Sequence, residues 1–426
     1  MIAEPSAVEP RRALAAAAAL RADVARERIV HGAGPDEHLF HVDPVPRAFA
    51  VDEWETLSRG MVQRVRALEA FAADAHGGRH AVHAGVVPAD VLATSRYLEP
   101  ALPVPHRYIG FAGPDVVRDG EGRLVVLEDN VRTPTMVLFA LALRRLVARH
   151  VDGGPDPQAL ATRVRETLWR MLRAASPAPD PNVAVLGDLG RSALRWELRA
   201  TAELLGVPLL ELDDVRTERD RLIGPDGRAI DVLWRRTSEE RLRDDAGELN
   251  ALGRALLGPI EAGTLAVVNA FGAGIADDKR VFPYVEDVIR FFLCEEPLLR
   301  SVPTFDAAST LERAHELVLK PRSGSGGYGV CIGPHATRDQ LDEVRAAVER
   351  DPGEWIAQEP VALSTHPTVV GGRLEPRHVD LRPFACWDGE RHVVLPVAFT
   401  RVALERDNLI VNASQGGGGK DTWVPA

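Results

Sequence analysis

Residues 108–130 read YIGFAGPDVVRDGEGRLVVLEDN, and how this stretch folds decides the rest. A short apolar run, the polar turn Asp119-Gly120-Glu121-Gly122 and a second run, Leu124-Val125-Val126-Leu127-Glu128, predict a β-hairpin. Side chains alternate faces along a strand, so Glu128 and Asn130 share one face while Asp129 points the other way. Asp115, across the turn, reaches the face of Glu128. Two carboxylates and an amide oxygen are hard ligands, few enough to leave a magnesium ion positions for water and phosphate. A solvated acidic edge is the plain structural alternative. Arg118 and Arg132 flank the acids, and Thr133-Pro134-Thr135 makes a constrained turn beyond them. An arginine here either binds a substrate carboxylate in bidentate fashion or balances the acids.

Outward from the hairpin, residues 10–76 read as helical, with Leu57, Met61, Val65 and Leu68 on one stripe. Helix returns over 137–175. The Pro-rich connector 176–182 marks a domain boundary. VAVLGDLG (183–190), a helical segment and VPLLEL (207–212) then form a strand–helix–strand unit that feeds a parallel sheet. Beyond residue 276 come a helix, the strand–loop–strand of HELVLKPRSGSGGYGVCIG, a helix over 337–350 and the strand WIAQEPV (355–361). The expected domains are 1–175, helical with the acidic hairpin; 181–275, an open α/β sheet; and 276–426, a lid with the remaining core.

Lys320-Pro-Arg-Ser-Gly-Ser-Gly-Gly-Tyr-Gly329 contains G-x-G-x-x-G, but VCIG follows it, which favours a strand and leaves no helix N-terminus for a pyrophosphate. The segment reads better as a flap between antiparallel strands, its glycines bringing backbone N–H groups to phosphate beside the charge of Lys320. QGGGGKDTW (415–423) is no P-loop, since Ser414 and Asp421 occupy positions that need Gly and Ser/Thr. Its Lys420 reads either as an electrostatic aid in a cavity or as part of a flexible C-terminal edge.

The 426 residues carry 51 Lys plus Arg against 62 Asp plus Glu, a formal charge of -11, and no basic run offers a nucleic acid a track. Three scattered cysteines support neither a disulfide framework nor a thiolate metal site and point to a reducing compartment. The short apolar run near the start, soon interrupted by Arg21 and Asp23, reads as too short for an export signal or a membrane span, so a cytoplasmic protein is expected. His76, His80 and His83 lack the H-E-x-x-H base and read as a solvated loop, and Cys294 as core packing.

Taken together, GPDVVRDGEGRLVVLEDNVRTP, VVNAFGAGIADDKRVFPYVED, VLKPRSGSGGYGV, WIAQEPV, DLRPFACWDG, VAFTRVAL and VNASQGGGGKDTWV resemble the ATP-grasp superfamily. The resemblance is to its circularly permuted bacterial branch, related to glutathionylspermidine-synthetase-like proteins, because Glu128 and Asn130 precede the lysines instead of following them. It implies an α/β chain with α+β elements, a circularly permuted ATP-grasp fold with an open-sheet pre-ATP-grasp-like domain. It further implies Asp115, Glu128 and Asn130 as magnesium ligands, and Lys279 and Lys320 as nucleotide lysines. Ser323, Gly324, Gly326 and Gly327 would lie in the phosphate lid, with Gln358 and Glu359 as the hinge facing adenine and ribose. Arg382, Arg401 and Arg132 are the candidate catalytic cations; Arg191, Glu197, Arg235 and Arg236 are possible substrate contacts. ATP and Mg2+ are the expected cofactors, and a small-molecule or peptide carboxylate with an amine (or thiol) co-substrate the expected partners, with no nucleic acid and no membrane. Phosphorylation of a small molecule, or nucleotide binding without catalysis, are the rival functions.

Overall fold

A computed structural model describes residues 4, 6, 8–99, 101–190, 192–244, 246–324, 326–406, 408, 409, 411 and 416–425. Its centre is a mixed sheet in the order Arg300–Ser301, Leu124–Glu128, Asp115–Arg118, Arg373–Trp387, His392–Val402, Gly418–Trp423, Val42–Ala48. Period-two alternation serves both faces of this sheet. From His392–Val402, Leu395, Val397 and Phe399 pack with helices Val137–Val147 and Pro157–Ala174. Ala398 instead joins Leu57, Met61, Val65 and Leu68 of helix Val51–His76 on the other face. All four members of that helical stripe are buried.

Two smaller sheets flank the centre. Ala266–Val268, Val232–Arg235, Val183–Leu186 and Leu209–Leu210 form a parallel sheet in that order. Thr304–Asp306, Trp355–Gln358, Val318–Pro321 and Cys331–Ile332 form an antiparallel one. Helix Arg338–Arg350 covers the latter through Val344 and Val348 and begins at a Thr337/Gln340 capping box.

The continuous helical reading of 10–76 is corrected: helices Pro10–Glu27 and Val51–His76 are separated by strands, among them Val42–Ala48. Pro44 and Pro46 obscure that strand, yet it closes the central sheet as an edge, where a missing N–H is tolerated. His76 is likewise no solvated loop residue: its ring stacks on Tyr108 and its Nε2 accepts from the Glu99 N–H. Cys294 is exposed rather than core, because it ends its helix in a left-handed conformation with φ 54°.

Lys420 also departs from both readings of the glycine-rich tail. It lies in the buried strand Gly418–Trp423, salt-bridged to Asp43 and hydrogen-bonded to the Pro367 carbonyl at 3.0 Å. Ser414 and residues 412–415 lie outside the described residues. Removing one partner of a buried pair strands the other charge, so Lys420→Met is expected to cost about 3–5 kcal/mol in urea unfolding. Lys420→Met/Asp43→Asn should recover much of that loss, and a single variant as stable as the parent would contradict the pairing. No described helix is long and apolar enough to cross a membrane.

Candidate functional site

The central hairpin, the antiparallel sheet and the turn before helix Val285–Leu293 enclose one cleft of about 1040 Å3. Asp115 and Glu128 are directly paired in register across the hairpin, as their strand positions require. Glu128 lies 2.9 Å from the ammonium of Lys279, which also donates to the Gly324 carbonyl at 2.7 Å. Thus the acidic strand, the first lysine and the glycine-rich loop meet at one point. Burial, with Asp115 nearby, pushes the Glu128 carboxyl up in pKa, but Lys279 and Lys320 together outweigh it and hold the group below its ordinary value.

Asp115 is held from two sides. Arg382 Nε and Nη2 donate to its Oδ1 at 2.8 and 2.7 Å, and Arg401 Nη2 to its Oδ2 at 2.7 Å. Arg401 also grips Asp380, with Nε 2.9 Å from either oxygen. Burial raises both carboxyls; the two arginines overcome it for Asp115, whereas Asp380 stays raised with Asp115 as a like-charged neighbour. Asp380 was not singled out from sequence, although it stands in the block DLRPFACWDG.

Asn130 joins the same cleft, and its buried Nδ2 has no hydrogen-bond partner among the described residues. Asp129 points away, as alternation demands, into a bidentate pair with Arg64 of helix Val51–His76 at 2.7 Å on both oxygens. This buried pair ties the acidic strand to the helix behind it. The doublet Asp277-Asp278 before Lys279 divides in the same manner. Asp277 accepts from Arg132 Nε at 2.8 Å, while Asp278 binds Arg322 at 2.7 to 3.0 Å. Neither acid was picked out from sequence, though an acidic doublet beside a candidate lysine is a legible signal.

Lys320 reaches the cleft from the antiparallel sheet, where its ammonium donates to Gln358 Oε1. Burial lowers its pKa to about 8, with Glu128 opposing the shift and Lys279 adding to it. Gln358 lines the cleft with its amide bonded internally, donating to the Leu127 carbonyl at 3.2 Å and to Thr304 Oγ1 at 2.9 Å. Glu359 lines the cleft and pairs with Arg313 at 3.2 Å. Gly324, Gly326 and Gly327 line it too, the last two with φ of 68° and 74°, which disfavour a side chain. Ser323 does not line the cleft, since its hydroxyl turns to Glu354 at 3.3 Å.

Of the looser candidates, Arg236 donates to the Thr133 and Pro134 carbonyls and lies 3.6 Å from Glu197. Arg235 is internal, bonded to the Asn269 and Ala270 carbonyls and to Glu239. Arg118 is also structural, paired with Glu4 and Glu53. Arg191 lies outside the described residues.

The sequence matches a family model described as circularly permuted ATP-grasp type 2 over residues 46–403. It is 43% identical over 404 residues to a putative glutamate–cysteine ligase 2-3 of Frankia alni, covering 91% of this chain and 47% of that one. An uncharacterized protein of Mycobacterium leprae is 39% identical over 416 residues, covering 92% of this chain and 73% of that one. The chain therefore spans about half the length of the Frankia ligase relatives it matches. In three dimensions it is similar to a glutathione synthetase-like effector from Globodera pallida, with TM-score 0.62, 12% identity and 98% of each chain covered. At that identity the likeness shows a shared fold.

Proposed function

The chain belongs to the circularly permuted ATP-grasp type 2 family, and from that premise we propose that it is an ATP-dependent ligase joining a carboxylate to an amine or thiol through an acyl phosphate. The observation that carries this reading is the meeting of Glu128 with Lys279 at 2.9 Å, beside Asp115, Asn130 and Lys320 in one cleft. Relatives named for glutamate–cysteine ligation support the reaction class.

In this reading Lys279 and Lys320 hold the phosphates, with the glycine-rich loop closing its backbone over them. The carbonyls and N–H groups around the hinge face the adenine, since the Gln358 amide is committed internally. Asp115, Glu128 and Asn130 suit a magnesium ion because their oxygens are hard donors, while the unpartnered Asn130 Nδ2 is an N–H donor left for an acceptor such as a phosphate oxygen. Four cations, Lys279, Lys320, Arg382 and Arg401, stand against the carboxylates Asp115, Glu128 and Asp380, too small an excess for a triphosphate. Magnesium, when bound, supplies the missing charge on the phosphate oxygens. Arg382 and Arg401 orient the substrate carboxylate for direct attack on the γ-phosphorus, so no side-chain nucleophile is needed. The amine or thiol then displaces phosphate from the acyl phosphate.

The test is ADP release with ATP and magnesium across paired carboxylates and amines or thiols, with release expected only when both are present. A stable phosphoproduct without a second substrate would turn the reading toward a phosphotransferase, and nucleotide binding without turnover toward a noncatalytic partner protein.

Lys320 adds a pH dependence. With its pKa lowered to about 8, it sheds its proton in the free protein as pH rises through that value. Phosphate favours the charged form, so ADP binding at about pH 9 is expected to take up a proton and to weaken as pH rises further. Calorimetry in buffers of different ionisation enthalpy reads that uptake, which should vanish in Lys320→Met. Uptake that persists in the variant removes Lys320 from the phosphate site.

A further inference from the structure

The cleft is lined by more cations than the phosphate and metal set uses. At about 1040 Å3 it stands at the upper end of the roughly 300–1,000 Å3 common for small-ligand sites. Five lysines and arginines line it among the described residues. Lys279 is bound to Glu128 and Lys320 to Gln358, while Arg382 and Arg401 clamp Asp115. Arg132 is different: its anionic partner is Asp277, outside the acid set assigned to phosphate and metal.

Arg132 is also built into place. Asp277 takes its Nε with Oδ1 at 2.8 Å, while Oδ2 accepts the Val131 and Arg132 backbone N–H groups at 2.9 Å each. The Tyr97 ring lies 4.2 Å beneath the guanidinium. Glu240 stands 3.9 Å from Nη1, an ion-pair distance and not a hydrogen-bonding one. A Cβ on Gly274 would come within 2.5 Å of Arg132 Cδ, so that glycine keeps the space the side chain needs. The result is a fixed fork, 20% exposed, on the wall nearest the turn Glu239–Arg241 that follows the parallel-sheet strand Val232–Arg235. A guanidinium held by its Nε edge keeps its Nη edge for a planar anion.

We propose that Arg132 binds a second carboxylate of the acyl substrate, which makes that substrate a dicarboxylate or a peptidyl acid carrying a carboxylate remote from the one activated. This rests on the ligase reading. Arg132 acts as a specificity residue: it takes no part in phosphoryl transfer and fixes which acid enters.

The experiment titrates the full chain with succinate, glutarate and adipate, and with the matched monoacids propionate, butyrate and valerate, under saturating AMP-PNP and magnesium. At least one diacid is expected to bind about tenfold or more tighter than its monoacid. Arg132→Met should abolish that preference and Arg132→Lys should weaken it, both with unchanged AMP-PNP affinity. Because the wild-type comparison needs no variant, a misfolded Arg132→Met does not protect the idea. Equal binding of diacid and monoacid overturns it, as does a preference that survives in a folded Arg132→Met. Absence of AMP-PNP binding overturns the ligase reading and this inference together, whereas AMP-PNP binding without diacid preference overturns this inference alone.

Discussion

Exchange of Glu128 for glutamine is expected to lower substrate-dependent ADP release by about 10²- to 10³-fold, the scale seen when one preorganised electrostatic group is removed. The substitution keeps shape and removes charge. Glu128 is an anion at neutral pH, since Lys279 and Lys320 together overcome the burial that would raise its pKa. Glutamine leaves Lys279 bonded to the Gly324 carbonyl at 2.7 Å, so the loop and the fold should hold. The pair is partly buried, with Glu128 31% and Lys279 10% exposed, so a modest loss of stability accompanies the exchange. Metal-free ADP should bind at least as well as before, with Lys279 relieved of its partner, while the magnesium needed for half-maximal turnover rises. Steady-state kinetics over a magnesium series and ADP calorimetry read both effects. Unchanged turnover at limiting magnesium would remove Glu128 from the metal site.

What sequence could disclose follows from how far apart interacting residues lie. The hairpin was legible because its alternation and its Asp-Gly-Glu-Gly turn are local, and the same two-residue period sent Asp129 away from Glu128. The order of Glu128 and Asn130 before Lys279 and Lys320 made the permutation readable, and the family match establishes it. Partners drawn from distant segments were invisible. Nothing near Asp129 announces Arg64, and nothing near Asp115 announces that Arg401 will also carry Asp380. Residue type misled where burial decided the outcome. Lys420 beside four glycines looked like a surface or cavity lysine, yet it is fully buried against Asp43. Nothing near Gln358 announces that its amide will brace Lys320 and Thr304. The strand Val42–Ala48 was hidden by prolines that only a sheet edge permits.

Asp115→Asn should be the most damaging single change in the cleft, acting on stability and chemistry together. Asp115 and Asp380 face Arg382 and Arg401 in a buried cluster whose charges balance two against two. Neutralising Asp115 leaves an uncompensated cation there, which costs about 3–5 kcal/mol when a buried pair is broken from one side. Arg382→Met alone should cost stability for the converse reason, leaving Asp115 with Arg401 shared against Asp380. Combined, Asp115→Asn/Arg382→Met restores the balance of one carboxylate to one guanidinium. Urea unfolding is therefore expected to show the double variant more stable than the sum of the single losses, by an interaction term of about 1–3 kcal/mol. Turnover should not follow that recovery. If Arg382 orients the substrate carboxylate and Asp115 serves the metal, the double variant loses both roles, and ADP release stays at least as low as in the worse single variant. A double variant that regains stability and activity together would reduce the four-residue cluster to scaffolding, and strict additivity in unfolding would deny the buried coupling itself.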